Sequence, residues 1–203
     1  MTKQYPQLDG KIRCTWCLGD PLYIRYHDKE WGVPVRQDRK WFEFLVLEGA
    51  QAGLSWITIL KKREAYRKAF DNFDYDKVAH YNERKIQALL NDAGIVRNRL
   101  KIRGAVKNAK AFLDLREEFG TFNRYIWSFI GGKPIRNQWK TLKHVPAKTE
   151  LSDALSKDLK QRGFTFVGST ICYAHMQATG MVNDHTLDCF RYKELQAKGD
   201  ESC

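Results

Sequence analysis

The sequence predicts an all-α protein, and three observations carry that prediction. Apolar residues recur at helical spacing, strand-like alternation is nearly absent, and capping residues punctuate the chain at helix-length intervals. Asp38-Arg39-Lys40 leads into an apolar run from Trp41 to Leu47. Ser55 is placed to cap a helix reaching about Phe70, with Trp56, Ile59, Leu60 and Tyr66 at core spacing. Asn82 is placed to cap a helix ending at Gly94, and a longer one is expected from about Asn98 to Phe119, stopped by Gly120. Residues 122–130 read as a short aromatic helix closed by Gly131-Gly132, and residues 133–148 as loop. Ser152 is expected to cap a helix to Arg162, and a last helix to run from about Ser169 to Thr179, stopping at Gly180.

At 203 residues the chain suits one large domain or two packed lobes, and its 43% hydrophobic content allows a sizeable core. No apolar run approaches the ~20 residues that cross a bilayer. The opening Met-Thr-Lys-Gln-Tyr-Pro lacks the apolar stretch of a signal peptide, so a cytosolic protein is expected. A net charge of +11 favours polyanionic partners through phosphate contacts and counterion release. Six Trp, nine Tyr and eleven Phe exceed what such a core needs, and flat rings are what bases stack on. The five cysteines, Cys14, Cys17, Cys172, Cys189 and Cys203, read as thiols or metal ligands rather than disulfides.

Four constellations could carry chemistry. Cys14-Thr-Trp-Cys17 and His27 near one end meet His185 and Cys189 near the other, the latter two at i and i+4 on one face of a helical turn. Together they offer two sulfurs and two imidazoles from opposite chain ends, a set that would suit a closed tetrahedral zinc site clamping the termini, although a lone His is usually a satisfied core residue. Cys17 competes with Cys14 for one position, and the two could instead form a redox pair. His80, His144 and His175 lack such company and read as ordinary.

The second constellation is the junction Arg162-Gly163-Phe164-Thr165-Phe166-Val167-Gly168-Ser169, a tight hairpin between two helices. Amides at the start of the following helix suit a phosphate, and Lys157, Lys160 and Arg162 make the approach basic. An ordinary helix–turn–helix corner is the alternative. The third is Glu48, which shares a helical face with Trp41, Phe44 and Leu45 and so projects from the buried side. Such a carboxylate is either functional or salt-bridged to a Lys or Arg. The fourth is Gly53-Leu54 before the Ser55 cap, where a bare leucine is satellite core or, in a DNA enzyme, an apolar wedge replacing an extruded nucleotide.

In order along the chain, these stretches resemble the DNA-3-methyladenine glycosylase I family. The matching residues are Cys14-x-Trp16, Asp20-Pro-Leu-Tyr23-Ile-x-Tyr26-His27-Asp28-x-Glu30-Trp31-Gly32-Val33-Pro34, and Leu47-Glu48-Gly49-x-Gln51-Ala52-Gly53-Leu54-Ser55-Trp56. Asp92-Ala93-Gly94-Ile95-Val96-Arg97, Lys160-x-Arg162-Gly163-Phe164-x-Phe166-Val167-Gly168 and Val182-Asn183-Asp184-His185 follow. The likeness spans about Arg13 to Cys189, which leaves 1–12 as a loosely ordered extension, 13–191 as a single glycosylase domain of two lobes, and 192–203 as a tail.

The resemblance implies a helix-hairpin-helix fold and hydrolysis of the bond joining 3-methyladenine to DNA, leaving an abasic site. It implies one structural zinc on Cys14, His27, His185 and Cys189, with Cys17 incidental. It implies a base pocket of Trp16, Tyr23, Tyr26, Glu48 and Trp56, with Glu48 the catalytic carboxylate. DNA contacts fall on Gly53, Leu54 and the hairpin Gly163, Phe164, Thr165, Phe166, Val167, Gly168 and Ser169. The partner is double-stranded DNA carrying alkylated bases, met by a monomer in the bacterial cytosol. The wider superfamily places a catalytic Asp two residues before the histidine; here that slot holds Asn183, with Asp184 one residue off. No lysine is placed for a Schiff base, so strand cleavage is not expected. A non-catalytic DNA-gripping module would explain charge, hairpin and zinc but not Glu48. A zinc hydrolase would need an open position for water, and two Cys plus two His fill the tetrahedron and leave none.

Overall fold

The computed structural model describes residues 9–200 and their side chains through Gln196. Among these the architecture is helical: α1 Pro21–Lys29, α2 Asp38–Gln51, α3 Trp56–Ala69, α4 Tyr75–Ala79, α5 Glu83–Asn91, α6 Arg99–Phe119, α7 Phe122–Ser128, α8 Glu150–Gln161, α9 Ser169–Ala178 and α10 Phe190–Asp200. Two short strands, β1 Ile135–Arg136 and β2 Val182–Asn183, pair in parallel, with Ile135 opposite Val182. None of the described helices is long and apolar enough to cross a membrane.

Helix α2 is the axle of the molecule. Every residue from Trp41 to Ala50 is buried, because α3, α6, α7 and α9 all pack around it. The sequence singled out one apolar face; the structure covers the other too. Glu43, on that other face, is buried against Arg63 (2.7 Å), Lys40 (3.0 Å) and Arg67 (3.1 Å), and Arg63 reaches on to Glu30 at 2.8 Å. That network staples α2 to α3 and to the end of α1, since a charge survives burial only when paired.

Caps account for most helix starts. Asn82 accepts from the Lys85 amide at 3.0 Å and Asn98 from the Lys101 amide at 3.1 Å, as their positions predict. Ser55 occupies the cap position of α3, but its hydroxyl bonds Thr58 Oγ1 at 2.7 Å rather than a backbone amide. Helix α8 starts earlier than expected: Thr149 is its cap and Ser152 its third residue, and the two close a reciprocal capping box of 3.2 and 2.8 Å.

One helix was not expected, and two further expectations change. The signature around Tyr23–His27 folds as α1, opened by Asp20, which accepts from the Leu22 amide at 2.9 Å, and by Pro21 at the first position. The stretch read as loop over 133–148 holds β1 and a 3₁₀ turn at Leu142–His144. Residues assigned to a tail carry α10, which runs across the boundary at 191 and buries Tyr192 and Leu195. Residues 1–8 of the expected extension lie outside the described residues.

Gly180 fixes the end of α9 against the chain after α1. Its φ of +72° ends the helix, and a side chain there would meet backbone of Val33 and Pro34 at 2.5 Å. The contact is sealed by Gly32 N–H donating to Gln177 O (3.1 Å) and Val35 N–H donating to Thr179 O (2.9 Å). The N-terminal segment is thereby laid across the helix that leaves the hairpin.

Candidate active site

Where α1, the C-terminal end of α2, the start of α3 and α9 converge, they enclose a cavity of about 380 Å³. This lies within the usual range for a small-molecule site. Trp16, Tyr23, Tyr26 and Trp31 form one wall, Trp56 a second, and Glu48 and Gln51 reach in from α2. The 3₁₀ turn lends Leu142, Val145 and Pro146, and α9 lends Gln177. All five residues that the resemblance assigned to a base pocket line this cavity. Trp31, Gln51 and the 142–146 segment line it too, although sequence reasoning gave them no role.

The rings brace each other edge to face, which suits their quadrupoles. Trp16 meets Tyr23 at 4.9 Å and Trp31 at 5.0 Å, with interplanar angles of 62° and 69°. Tyr26 meets Trp56 at 5.6 Å, and Trp56 stacks over Phe44 at 6.5 Å. Trp56 Nε1 is buried without a hydrogen-bond partner.

Glu48 is the one carboxylate in the cavity with spare capacity. No Lys or Arg pairs with it among the described residues, so the salt-bridge alternative is not realised. Its Oε2 lies 2.7 Å from His175 Nδ1, and its Oε1 is buried with no partner. Burial raises its pKa above the ordinary value of 4.5, against a lowering by His175. His175, read as ordinary, is the partner of Glu48 that sequence missed. The only available signal was its place among Cys172, Tyr173 and Met176, all buried on α9.

Asp184 also borders the cavity but is fully engaged. It accepts from Asn137 Nδ2 (2.6 Å), Trp139 Nε1 (2.8 Å), Tyr173 Oη (2.7 Å) and Gln177 Nε2 (2.8 Å). Four donors fill the lone pairs of a carboxylate, so Asp184 ties the 137–139 segment to α9 rather than serving as a base. Asn183 is likewise occupied, donating to Tyr192 O at 3.2 Å and accepting from the His185 amide at 3.3 Å.

Beside the cavity, Cys14, His27, His185 and Cys189 are all buried, with ligand atoms within 4.8 Å of one another, and could hold a metal ion. His185 and Cys189 do not sit on a helix, as their spacing suggested, but in the turn before α10, closed by Cys189 N–H donating to Thr186 O at 2.9 Å. Cys14 Sγ is 3.6 Å from His185 Nδ1, and Cys189 Sγ is 3.5 Å from His27 Nε2 and 3.4 Å from His185 Nδ1. Sulfur and nitrogen ligands at ~2.3 and ~2.0 Å from one centre would stand about 3.5 Å apart.

The opposite ring nitrogens are engaged, His27 Nδ1 with Asp28 (2.8 Å) and His185 Nε2 with the Trp31 carbonyl (3.2 Å), which turns both lone pairs inward. Hydrogen bonding to Cys189, and then burial, hold Cys14 far above the thiol range, while the same bond lowers Cys189. Cys17 is buried but stands outside the four, its thiol donating to Cys14 O at 3.1 Å.

The junction of α8 and α9 is a tight turn. Gly163 has φ +89° and Phe166, unusually for a side-chain-bearing residue, +57°. That strain is held by packing: the Phe166 ring fills the slot left by Gly104 on α6, where a side chain would come within 2.8 Å. Asn108 fixes the turn from α6, accepting from Thr165 N–H at 2.8 Å and donating to Thr165 O at 2.9 Å. The side chains of Phe164 and Val167 are buried, so these two can offer only backbone outward. At Gly168 nothing in the protein lies within 4 Å of a would-be side chain, and the first turn of α9 has no side-chain cap. In the α2–α3 loop, Gly53 has φ +78° and Leu54 is 41% exposed.

Comparison with known proteins agrees with this geometry. A sequence profile of the methyladenine glycosylase family matches residues 16–192. DNA-3-methyladenine glycosylase 1 of Escherichia coli is 53% identical over 180 residues, covering 89% of this chain and 96% of that protein. A crystal structure of 3-methyladenine DNA glycosylase I superposes with a TM-score of 0.86 at 51% identity, covering 88% of this chain and 98% of the other. The Staphylococcus aureus 3-methyladenine DNA glycosylase I, whose recognition of 3-methyladenine has been solved, superposes at 0.85 with 37% identity over 88% and 95% of the two chains.

Proposed function

The chain belongs to the methyladenine glycosylase family, and we propose that it is a DNA repair enzyme that hydrolyses the N-glycosidic bond of 3-methyladenine in alkylated DNA. The observation that carries this reading is Glu48, a buried carboxylate with one unpartnered oxygen inside an aromatic cavity. An ionised oxygen with no partner is costly in such a place, and a cationic base with an exocyclic amine removes that cost.

Methylation at N3 gives adenine a delocalised positive charge, so the base is already a good leaving group. Trp16, Tyr26 and Trp56 can hold the cationic ring by its faces, a contact worth roughly 0.5–2 kcal/mol. Tyr23 completes the wall behind Trp16. Glu48 accepts from the exocyclic amine and complements the charge. Water then completes the hydrolysis at the sugar carbon, the base departs with the bonding electrons, and an abasic site remains. Normal adenine lacks the charge, gains less from the cavity and leaves poorly, so selection rests partly on the lesion itself. The reaction we propose leaves the duplex strand uncut; among the described residues that line the cavity none is a lysine of the kind that forms a Schiff base.

The base reaches the cavity by leaving the stack. Gly53 and exposed Leu54, at the cavity's α2–α3 corner, are suited to occupy the gap. The α8–α9 corner is a helix-hairpin-helix element, from Gly163 through Phe164, Thr165, Phe166, Val167 and Gly168 to Ser169. The uncapped amides at the start of α9 suit a phosphate, and the buried rings of the turn hold them in place.

Cys14, His27, His185 and Cys189 are suited to one structural zinc, a reading supported by three sulfur–nitrogen distances of 3.4–3.6 Å and by the two oriented imidazoles. Such an ion would tie the segment carrying Trp16 to the turn before α10 and supply folding energy. The enzyme acts as a single chain on double-stranded DNA in the cytoplasm.

The test is direct. Methylated DNA is incubated with the protein, with and without prior chelation, and the released bases are separated. Free 3-methyladenine and uncut, abasic strands are expected. A well-folded protein that binds the DNA and releases no base would leave only a gripping module.

A further inference from the structure

We propose that His175 is the positioning residue for Glu48: its Nδ1–H donates to Oε2 and thereby reserves Oε1, still charged, for the base amine. The inference rests on the reading of the cavity given above and adds the residue that sets its charge state.

The surroundings of the pair exclude all but one placement of its proton. Glu48 Oε2 and His175 Nδ1 stand 2.7 Å apart, so one hydrogen bond joins them. Both side chains are 3% exposed, and two atoms of the pair are left without partners, Glu48 Oε1 and His175 Nε2. If Glu48 kept the proton on Oε2 and donated a hydrogen bond to an unprotonated Nδ1, the neutral imidazole would carry its hydrogen on Nε2, a buried donor with no acceptor. If the imidazole carried two hydrogens, the same orphan donor would also be charged, which costs still more. A proton on Oε1 would turn the oxygen that faces no partner into a donor. Only an Nδ1–H tautomer beside an ionised carboxylate leaves acceptors alone at both orphan atoms.

That arrangement has two consequences. The pair carries one net negative charge instead of neutralising itself, which is what a cationic base requires. And one carboxylate oxygen is consumed, so the other is held in a single orientation instead of rotating. His175 is itself fixed, its ring 5.3 Å from that of Trp41 and its carbonyl accepting from Thr179 Oγ1 at 2.5 Å. It rides on α9, the helix that begins at the hairpin, so the element offered to DNA also carries the residue that orients the base reader.

The test uses conservative variants and free 3-methyladenine, titrated by tryptophan fluorescence, with unmodified duplex binding and thermal denaturation alongside. His175→Asn keeps an N–H at the reach of Nδ1; His175→Gln moves it to the reach of Nε2; His175→Phe keeps the ring and removes the donor. Base affinity is expected to fall about tenfold in the Phe and Gln variants and to stay within about twofold in the Asn variant. Duplex affinity is expected to hold in all three. In a Glu48→Gln background, His175→Phe is expected to add less than about twofold, because the two act as a unit.

Should the Phe variant fail to fold, Asn against Gln decides alone. Equal affinities in those two variants, or additive losses with Glu48→Gln, would overturn the proposal while leaving the base pocket intact. Wild-type protein that binds no 3-methyladenine would overturn the pocket reading and this inference together.

Discussion

Asp28 Oδ1 lies 2.8 Å from His27 Nδ1, and that contact turns the far nitrogen of the ring toward Cys189. Asp28 is itself held by Arg13, whose Nε and Nη2 reach its two oxygens at 2.8–3.1 Å. The orientation of a candidate metal ligand is thus set from outside the four-residue cluster, by Asp28 and, through it, Arg13.

One zinc per chain is expected in protein purified without chelator, read by elemental analysis. Asp28→Ala should weaken the site about 10- to 100-fold in competition with a chromophoric chelator, because the ring loses its orienting acceptor. Cys189→Ala should lose the metal and lower thermal stability, whereas Cys17→Ser should leave metal content unchanged. Zinc-free wild type, or metal loss in the Cys17 variant, would contradict this assignment.

Gly168→Asp should weaken binding to duplexes of any sequence, by placing a negative charge where uncapped amides meet a phosphate. There is room for the side chain, and the φ of −64° is ordinary, so folding should survive. Affinity for free 3-methyladenine should also survive. Fluorescence anisotropy with a labelled duplex, beside a free-base titration, separates the two; parallel losses would contradict the division of roles.

Much of this was legible in the sequence, and what was not has physical reasons. Asn82, Asn98 and Gly120 mark helix ends through local chemistry, and local chemistry is what a sequence displays. Ser152 was mistaken for a cap because Thr149 precedes it in the same reciprocal box. Helix α1 is hidden by its composition, Tyr, Arg, His and Asp with little apolar periodicity, although Asp20-Pro21 announces its start. Glu48 could be placed on a buried face by helical spacing. His175 could not be matched to it, since 127 residues separate the two and only the packing of α9 against α2 joins them. Asp184 presents the same limit, because the four donors that occupy it come from the 137–139 segment and from α9.

Glu43 should be a source of acid sensitivity. Burial pushes its pKa up, but Arg63 and Lys40 outweigh burial and hold it below the ordinary 4.5. A carboxylate with a depressed folded pKa contributes stability above its unfolded value and loses it as pH falls through the folded one. Glu43→Gln should therefore cost about 3 kcal/mol near neutral pH, by leaving Arg63 underpaired. It should also flatten the decline in stability below pH 4.5. Urea denaturation across that range checks both, and an unchanged pH profile would contradict the network's role.

Glu48 should behave in the opposite sense. Its pKa is raised by burial above 4.5, so its contribution to stability is complete below that value and is lost as pH rises through the folded one. Free Glu48→Gln protein should then be at least as stable as wild type at pH 7, with the gap closing toward pH 4.5. Thermal melts at the two pH values test this, and a variant less stable at pH 7 than at pH 4.5, relative to wild type, would contradict it.

The most direct measurement is the affinity of Glu48→Gln for free 3-methyladenine, titrated by tryptophan fluorescence with Trp16 and Trp56 as reporters in the cavity wall. The substitution keeps the shape, removes the charge, and presents an amide donor where the base amine needs an acceptor. A buried polar mismatch costs about 1–3 kcal/mol, so affinity should fall roughly 5- to 150-fold. Excision from methylated DNA should slow without vanishing, and metal content should be unchanged. Wild-type affinity in a well-folded Glu48→Gln protein would contradict the claim that this carboxylate reads the base.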